Sequence, residues 1–216
     1  MYPNGSMAFD DSHNAYGMEL GITYQPFNAL TVSANPSYTI NNDKLQFVEN
    51  IDFNGTPRYL NGKIEQRTLG MSLRVNYTIN PDLTIQYWGQ PFVSRGRYSN
   101  FKLVTDPLAK DFDDRITAFN DDQISLTDEI YSVDENLDGN VDYNFNDPDF
   151  SLVQFRSNLV FRWEYIPGSE IYLVWSQDIS RSGNPQAELF QNLEDNIFGE
   201  KPKNIFLIKV TYRFVR

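Results

Sequence analysis

The residues whose spacing points most clearly to chemistry are Asp134, Asn136, Asp138, Asn140 and Asp142, set around Gly139. Oxygen donors at positions 1, 3, 5 and 9 of a loop, with glycine at position 6, match the first part of a calcium loop. A hard cation gathers six to eight oxygens at about 2.3–2.6 Å. This stretch offers several in side chains and one more in the Asn140 carbonyl. Position 12 is Phe145 where a bidentate glutamate is expected, which leaves Asp147 or Asp149 to close the shell. No helical period flanks the loop. The expectation is a free-standing loop holding a structural Ca²⁺, with a solvated acidic loop as the alternative.

A second group consists of Arg74, Arg156, Arg162, Glu164, Lys209 and Arg213, charged residues inside segments of otherwise alternating apolar character. In a barrel they line the interior, either as a selectivity lining or as a ladder of paired charges. The paired ladder is the expected role. Asp113, Asp114, Asp121 and Asp122 contain the ingredients of a glycosidase acid–base pair, but acidic loops bring such residues together by chance. The chain has no cysteine and one histidine, His13, which excludes disulfides, thiol nucleophiles and cysteine-ligated metals and leaves little for a histidine-based site. No phosphate-binding glycine loop or zinc-protease motif is present. Asn54-Gly55-Thr56 and Asn76-Tyr77-Thr78 fit the glycosylation pattern, the second inside an expected strand. The expected function is non-enzymatic.

The net charge of −11 is localised. Residues 106–149 hold 14 of the 29 acidic residues and only Lys110 and Arg115 of the 18 basic ones, so the rest of the chain is close to neutral. Nucleic acid, whose binding depends on neutralising phosphates, is not an expected partner.

The elements that position these residues follow a period of two, the strand period. Met18, Leu20, Ile22 and Tyr24 alternate with polar residues, as do Leu30, Val32, Ala34, Tyr38 and Ile40. The same holds for Met71 to Ile79, Leu83 to Tyr87, Phe155 to Tyr165, Ile171 to Ile179 and Phe206 to Phe214. About seven strands result, and the chain is all-β. Tight turns are expected at Gln25–Asn28, Asn80–Asp82 and Pro167–Ser169. Long connections are expected over about 41–62, 95–150 and 181–203. Short turns on one rim and long loops on the other mark an antiparallel transmembrane β-barrel, with the turns periplasmic and the 106–149 acidic loop extracellular. The strands run near the 9 to 11 residues that cross a bilayer when tilted. Trp163, Tyr165, Tyr172 and Trp175 flank a turn, where an aromatic girdle belongs. No apolar run reaches the roughly 20 residues of a transmembrane helix.

Bacterial single-chain barrels have an even number of strands. An odd count, with no export signal in Met1–Asp10, leads to the expectation that residues 1–216 form the C-terminal part of a larger barrel. The rival is a secreted soluble β-sandwich that binds polysaccharide through exposed Tyr and Trp.

Two segments carry a resemblance: Ser157 to Ser169 with its Arg162-Trp163-Glu164-Tyr165 and Pro167-Gly168-Ser169, and Asp134 to Asp142 followed by Asn146-Asp147-Pro148-Asp149-Phe150. They resemble an uncharacterised family of Bacteroidota outer-membrane proteins that joins an N-terminal carbohydrate-binding module of the family-nine type to a C-terminal barrel. The resemblance covers about residues 16–216. It implies an outer-membrane location at the cell surface, with membrane lipid and the barrel-insertion machinery as partners. It also implies a link to glycan binding or uptake. Members are sometimes labelled membrane-associated hydrolases, and such activity would lie in sequence outside this chain. Barrels of this kind often end on an aromatic residue, whereas here Val215 and Arg216 follow Phe214.

Overall fold

The computed structural model of the chain describes residues 1–10, 12–111 and 113–214. Val215 and Arg216, on which the displaced terminal signal rests, lie outside the described residues.

Eight strands form one antiparallel path: β1 (Tyr2–Phe9), β2 (His13–Phe27), β3 (Leu30–Phe53), β4 (Thr56–Asn80), β5 (Leu83–Val104), then β10 (Phe150–Ile166), β11 (Ser169–Ser182) and β12 (Lys203–Val210). A short β6 (Ile116–Ala118) pairs with the end of β5. A separate three-stranded sheet holds β7 (Ile124–Thr127), β8 (Ile130–Val133) and β9 (Tyr143–Asn146). The five-residue helix α1 (Leu189–Leu193) continues into a π-helical turn over Glu194–Phe198.

The all-β reading is borne out, and four expectations about it need correction. The described path has eight strands, with β6 a ninth member of the sheet, where about seven were expected; β1 was missed because Pro3 and Gly5 weaken its alternation. The long loop expected over 41–62 does not exist. β3 and β4 run 24 and 25 residues and meet at the two-residue turn Asn54-Gly55. Both turn residues have positive φ, 53° and 77°, the conformation that Asn-Gly supplies at low cost in a tight hairpin. The connection over 95–150 begins later than expected, because β5 runs to Val104, and it contains β6 to β9. The connection over 181–203 contains α1. Among the described residues β1 and β12 end the path without pairing to each other, so the sheet is not a closed barrel.

Each strand places alternate side chains on opposite faces, and the register keeps the two faces distinct. One row runs Tyr24, Val32, Val75, Tyr87, Leu159, Trp175, Phe206 across seven strands. A row on the other face runs Thr23, Ser33, Arg74, Trp88, Asn158, Ser176, Ile205. Among the described residues, the buried apolar clusters lie where something covers the sheet. Leu60, Phe101 and Leu103 are buried against Val133, Tyr143 and Phe145 of the small sheet. Val93 and Val153 are buried against Leu189 of α1.

Candidate functional surface: an apolar band backed by a charged face

The apolar face forms a band whose upper edge runs obliquely across the strands. Away from the three tight turns, its upper edge reaches Met7, Tyr16 and Ile40 on β1–β3, and Leu69, Val93 and Val153 on β4, β5 and β10. It falls to Ile179 on β11 and Phe206 on β12. The lower edge follows the turns, from Leu30 on β3 to Ile79, Leu83, Trp163, Ile171 and Val210 on the strands after it. A level slab crossed by tilted strands cuts the hydrogen-bonded rows obliquely, as the upper edge does. On β4 the band runs from Leu69 to Ile79, the length of tilted strand that spans a hydrocarbon core. Phe206 and Ile208 are 72% and 71% exposed, so no described part of the protein covers the band there.

Three polar residues form one row of this face on β10–β12, inside the edge on β10 and β11 and just above Phe206 on β12, and they satisfy one another. Ser157 Oγ donates to Gln177 Oε1 at 3.2 Å, and Gln177 Nε2 donates to Asn204 Oδ1 at 3.2 Å. Trp175 Nε1 donates to the same oxygen at 2.8 Å. A row of aromatic side chains marks the lower rim. Trp163 and Tyr165 meet edge on at 6.1 Å, and Phe27 and Tyr77 at 6.3 Å.

The opposite face gathers the charged set expected from the sequence. Arg74, Arg156, Arg162, Glu164 and Lys209 occupy it by register, and Arg213 follows at the turn rim, its N–H donating to Ser169 Oγ at 3.0 Å. Most of the set is paired. Arg156 Nε meets Asp178 Oδ1 at 3.1 Å, and Lys203 lies opposite Asp178. Arg162 donates to Glu170 and, at 3.3 Å, to Glu164. Tyr172 donates its hydroxyl to Glu170 at 2.8 Å, and the Lys209 ammonium lies 5.7 Å from the Tyr172 ring centre. Arg74 sits beside Ser33 and Trp88. For Arg156, Arg162, Glu164 and Lys209 these contacts are those of a ladder in which a charge meets one of opposite sign or a π face.

The small sheet stacks on this charged face, beyond its charged rows. β4 is regular, so Leu60, Gly62, Ile64, Gln66, Thr68 and Arg74 share one side, and Leu60 belongs to the core beneath the small sheet. Glu135 fastens it. Arg58 Nε and Nη2 reach the two Glu135 oxygens at 2.8 and 3.1 Å, and Tyr143 donates its hydroxyl to Oε1 at 2.5 Å. Burial, then the carboxylate beside it, pushes the Tyr143 hydroxyl well above the usual tyrosine range.

The 134–142 loop folds on its own carboxylates. Asp134 accepts N–H groups from Asp138 at 3.2 Å and Gly139 at 2.8 Å, while Asn136 accepts one from Asp138 at 2.9 Å. Asp138 accepts the Asn140 N–H at 2.8 Å, which holds its carboxyl below the usual range. Asp142 accepts the Glu135 N–H at 2.8 Å. Leu137 and Gly139 take positive φ, 59° and 89°. Among the described residues no three acidic or histidine side chains are gathered as a metal-ligand group. Asp147 and Asp149 lie across the small sheet's connection instead: the Asp147 N–H donates to the Glu129 carbonyl, and Asp149 takes the Tyr98 N–H at 2.6 Å. Asp113, Asp114, Asp121 and Asp122 are exposed.

Burial raises the Asp149 carboxyl above the usual carboxylate range, and nearby Asp147 adds to it, against the opposing Tyr98 N–H. A folded-state value above the unfolded one contributes stability below the ordinary carboxylate pKa and loses it as pH rises through the raised value. Asp149→Asn keeps an acceptor for Tyr98 and removes the charge. The variant is expected to gain about 0.5 kcal/mol over the parent at pH 7 after allowance for solvent screening, with the gain gone near pH 3. Thermal melts at the two pH values check it.

Sequence reasoning missed Glu135, which sits between two candidate ligands, and its partner Arg58. It also missed α1, although Leu189, Leu193 and Ile197 recur at helical spacing. No curated protein and no solved structure matches the chain. A family model does, described only as a domain of unknown function, over residues 1–215. With nearly its whole length matched, the chain belongs to the uncharacterised DUF5916 domain family.

Proposed function

We propose that this chain is a wall segment of an outer-membrane β-barrel, non-enzymatic in itself, exposed at the surface of a diderm bacterium. The observation that carries the reading is the apolar band: one sheet face apolar over a bilayer's height, the other polar and charge-paired. An outward apolar band and an inward polar lining are the two surfaces such a barrel needs. The three tight turns then face the periplasm, and the small acidic sheet faces outward, on the side of the wall that lines the interior. Strand edges in hydrocarbon must be paired, so the proposal requires other strands to cover the outer edges of β1 and β12. Lipid and the insertion machinery are the partners this requires. The glycan link implied by the resemblance is part of the proposal at the level of the family, with no residue of this chain assigned to it.

Membrane fractions run boiled and unboiled on a gel test the reading. A membrane band that changes mobility on boiling is the expected result. An unshifted band in the soluble fraction would remove the barrel and favour the polysaccharide-binding sandwich. A structural Ca²⁺ in the 134–142 loop is proposed on its donor spacing alone. Calcium titration of the full chain, read by calorimetry, supports it with a single saturating site and removes it with no heat.

A further inference from the structure

The segment from α1 to Phe198 lies on the apolar face, on the opposite side of the sheet from the small sheet. Leu189, Leu193 and Ile197 pack on Val93 and Val153, in the row that continues through Leu69 to Tyr38. That row is the upper edge of the band on β4, β5 and β10. One row further up, the same face carries Arg67, Arg95 and Ser151 beside Ile40. The segment therefore sits where the apolar face gives way to polar and charged residues, with Arg67 exposed among them.

The chain leading into it is pinned to Arg95 of that row and to Arg97 one row beyond. Arg95 Nη1 donates to the Ala187 carbonyl at 2.5 Å, and Arg97 donates to the Pro185 and Gln186 carbonyls at 2.9 and 2.7 Å. Asn192, 1% exposed, ties the turn from inside by accepting the Asn184 N–H at 2.8 Å and donating to the Asn184 carbonyl at 2.8 Å. A segment fixed this firmly still leaves Phe190 75% and Phe198 84% exposed. Both rings border a groove of about 640 Å³ whose floor includes Pro91 and Phe155 of the band. Glu188, Glu194, Asp195 and Glu200 give the segment exposed polar positions alongside these rings.

We infer that residues 189–198 form an interfacial collar whose Phe190 and Phe198 enter the outer leaflet at the acyl–headgroup boundary. Exposed aromatic rings beside polar positions suit that depth, where amphipathic segments lie in the plane of the membrane. The groove under the collar is continuous with the band and is filled by acyl chain. Arg67, exposed just above, faces the level of the anionic headgroups. The aromatic rim formed by Trp163, Tyr165, Phe27 and Tyr77 marks the other interface.

The inference rests on the barrel reading, and the test separates the two. The full chain is placed in bilayers with an environment-sensitive fluorophore on a single introduced cysteine: Phe190→Cys, Phe198→Cys, or Phe161→Cys as a reference inside the band. Quenchers are attached to lipid at shallow and deep positions. Strong shallow quenching at 190 and 198, with deep quenching at 161, is the expected result. Deep quenching at 161 with water-exposed probes at 190 and 198 overturns the collar alone. A water-exposed probe at 161 overturns both.

Discussion

Phe161→Arg is expected to prevent assembly into membranes, while Val160→Arg is tolerated. The two positions are adjacent in sequence and opposite in direction. Phe161 lies in the row Tyr77, Ile85, Leu173, Ile208, in the lower half of the band. Val160 lies between Gln86 and Val174 on the face that carries the charged ladder. In the barrel wall proposed above, a lipid-facing arginine costs up to about 2–4 kcal/mol, the full figure at the midplane, against little for one on the charge-paired face. Denaturant-induced unfolding in lipid bilayers reads the difference. A larger loss at Val160 than at Phe161 would exchange the two faces.

Glu135→Ala is expected to detach the small sheet from the β3–β4 hairpin without disturbing the band. It removes three hydrogen bonds and leaves Arg58, one-quarter exposed, without its carboxylate. Loss of one partner of a half-buried pair costs about 2 kcal/mol, concentrated where the pair acts. Hydrogen exchange is expected to quicken by more than tenfold at amides of residues 124–146 and to stay unchanged in β10 and β11. Adding Arg58→Met recovers part of the loss, because the stranded guanidinium is what the single change leaves behind. Equal acceleration across β10 would show that the small sheet is not a separately fastened unit.

Strand direction and the division of faces were legible in the sequence wherever one face is uniformly apolar. Such runs fix their own register, since a one-residue slip exchanges the faces. The hairpin arms above the band were not legible, because there both faces are mixed. Val48, Ile51, Leu60 and Phe101 are apolar toward the small sheet, a partner that strand periodicity does not reveal. The Asn54-Gly55 turn was available as a signal and outweighed by that irregular pattern. That Arg74, Arg156, Arg162, Glu164 and Lys209 share one face was legible, since a charge on the polar phase of an alternating strand has only one place to point. Their partners Asp178 and Glu170 were not, because pairing depends on cross-strand register.

The candidate calcium loop shows the limit of spacing as a guide. Asp134, Asn136 and Asp138 sit at ligand positions, yet the same oxygens serve backbone N–H groups of a glycine turn. Short polar side chains cap their own turns in this way with or without a metal. Glu135, one position off the pattern, holds the sheet in place.

The most direct test of the account is spin-label accessibility along β10 in bilayers, one label at a time from Ser157 to Trp163. The account predicts a period of two, with Leu159, Phe161 and Trp163 accessible to oxygen dissolved in lipid and Asn158, Val160 and Arg162 accessible to a water-soluble relaxant. Water-soluble relaxant reaching both sets equally would contradict it and leave a sheet that never enters the membrane.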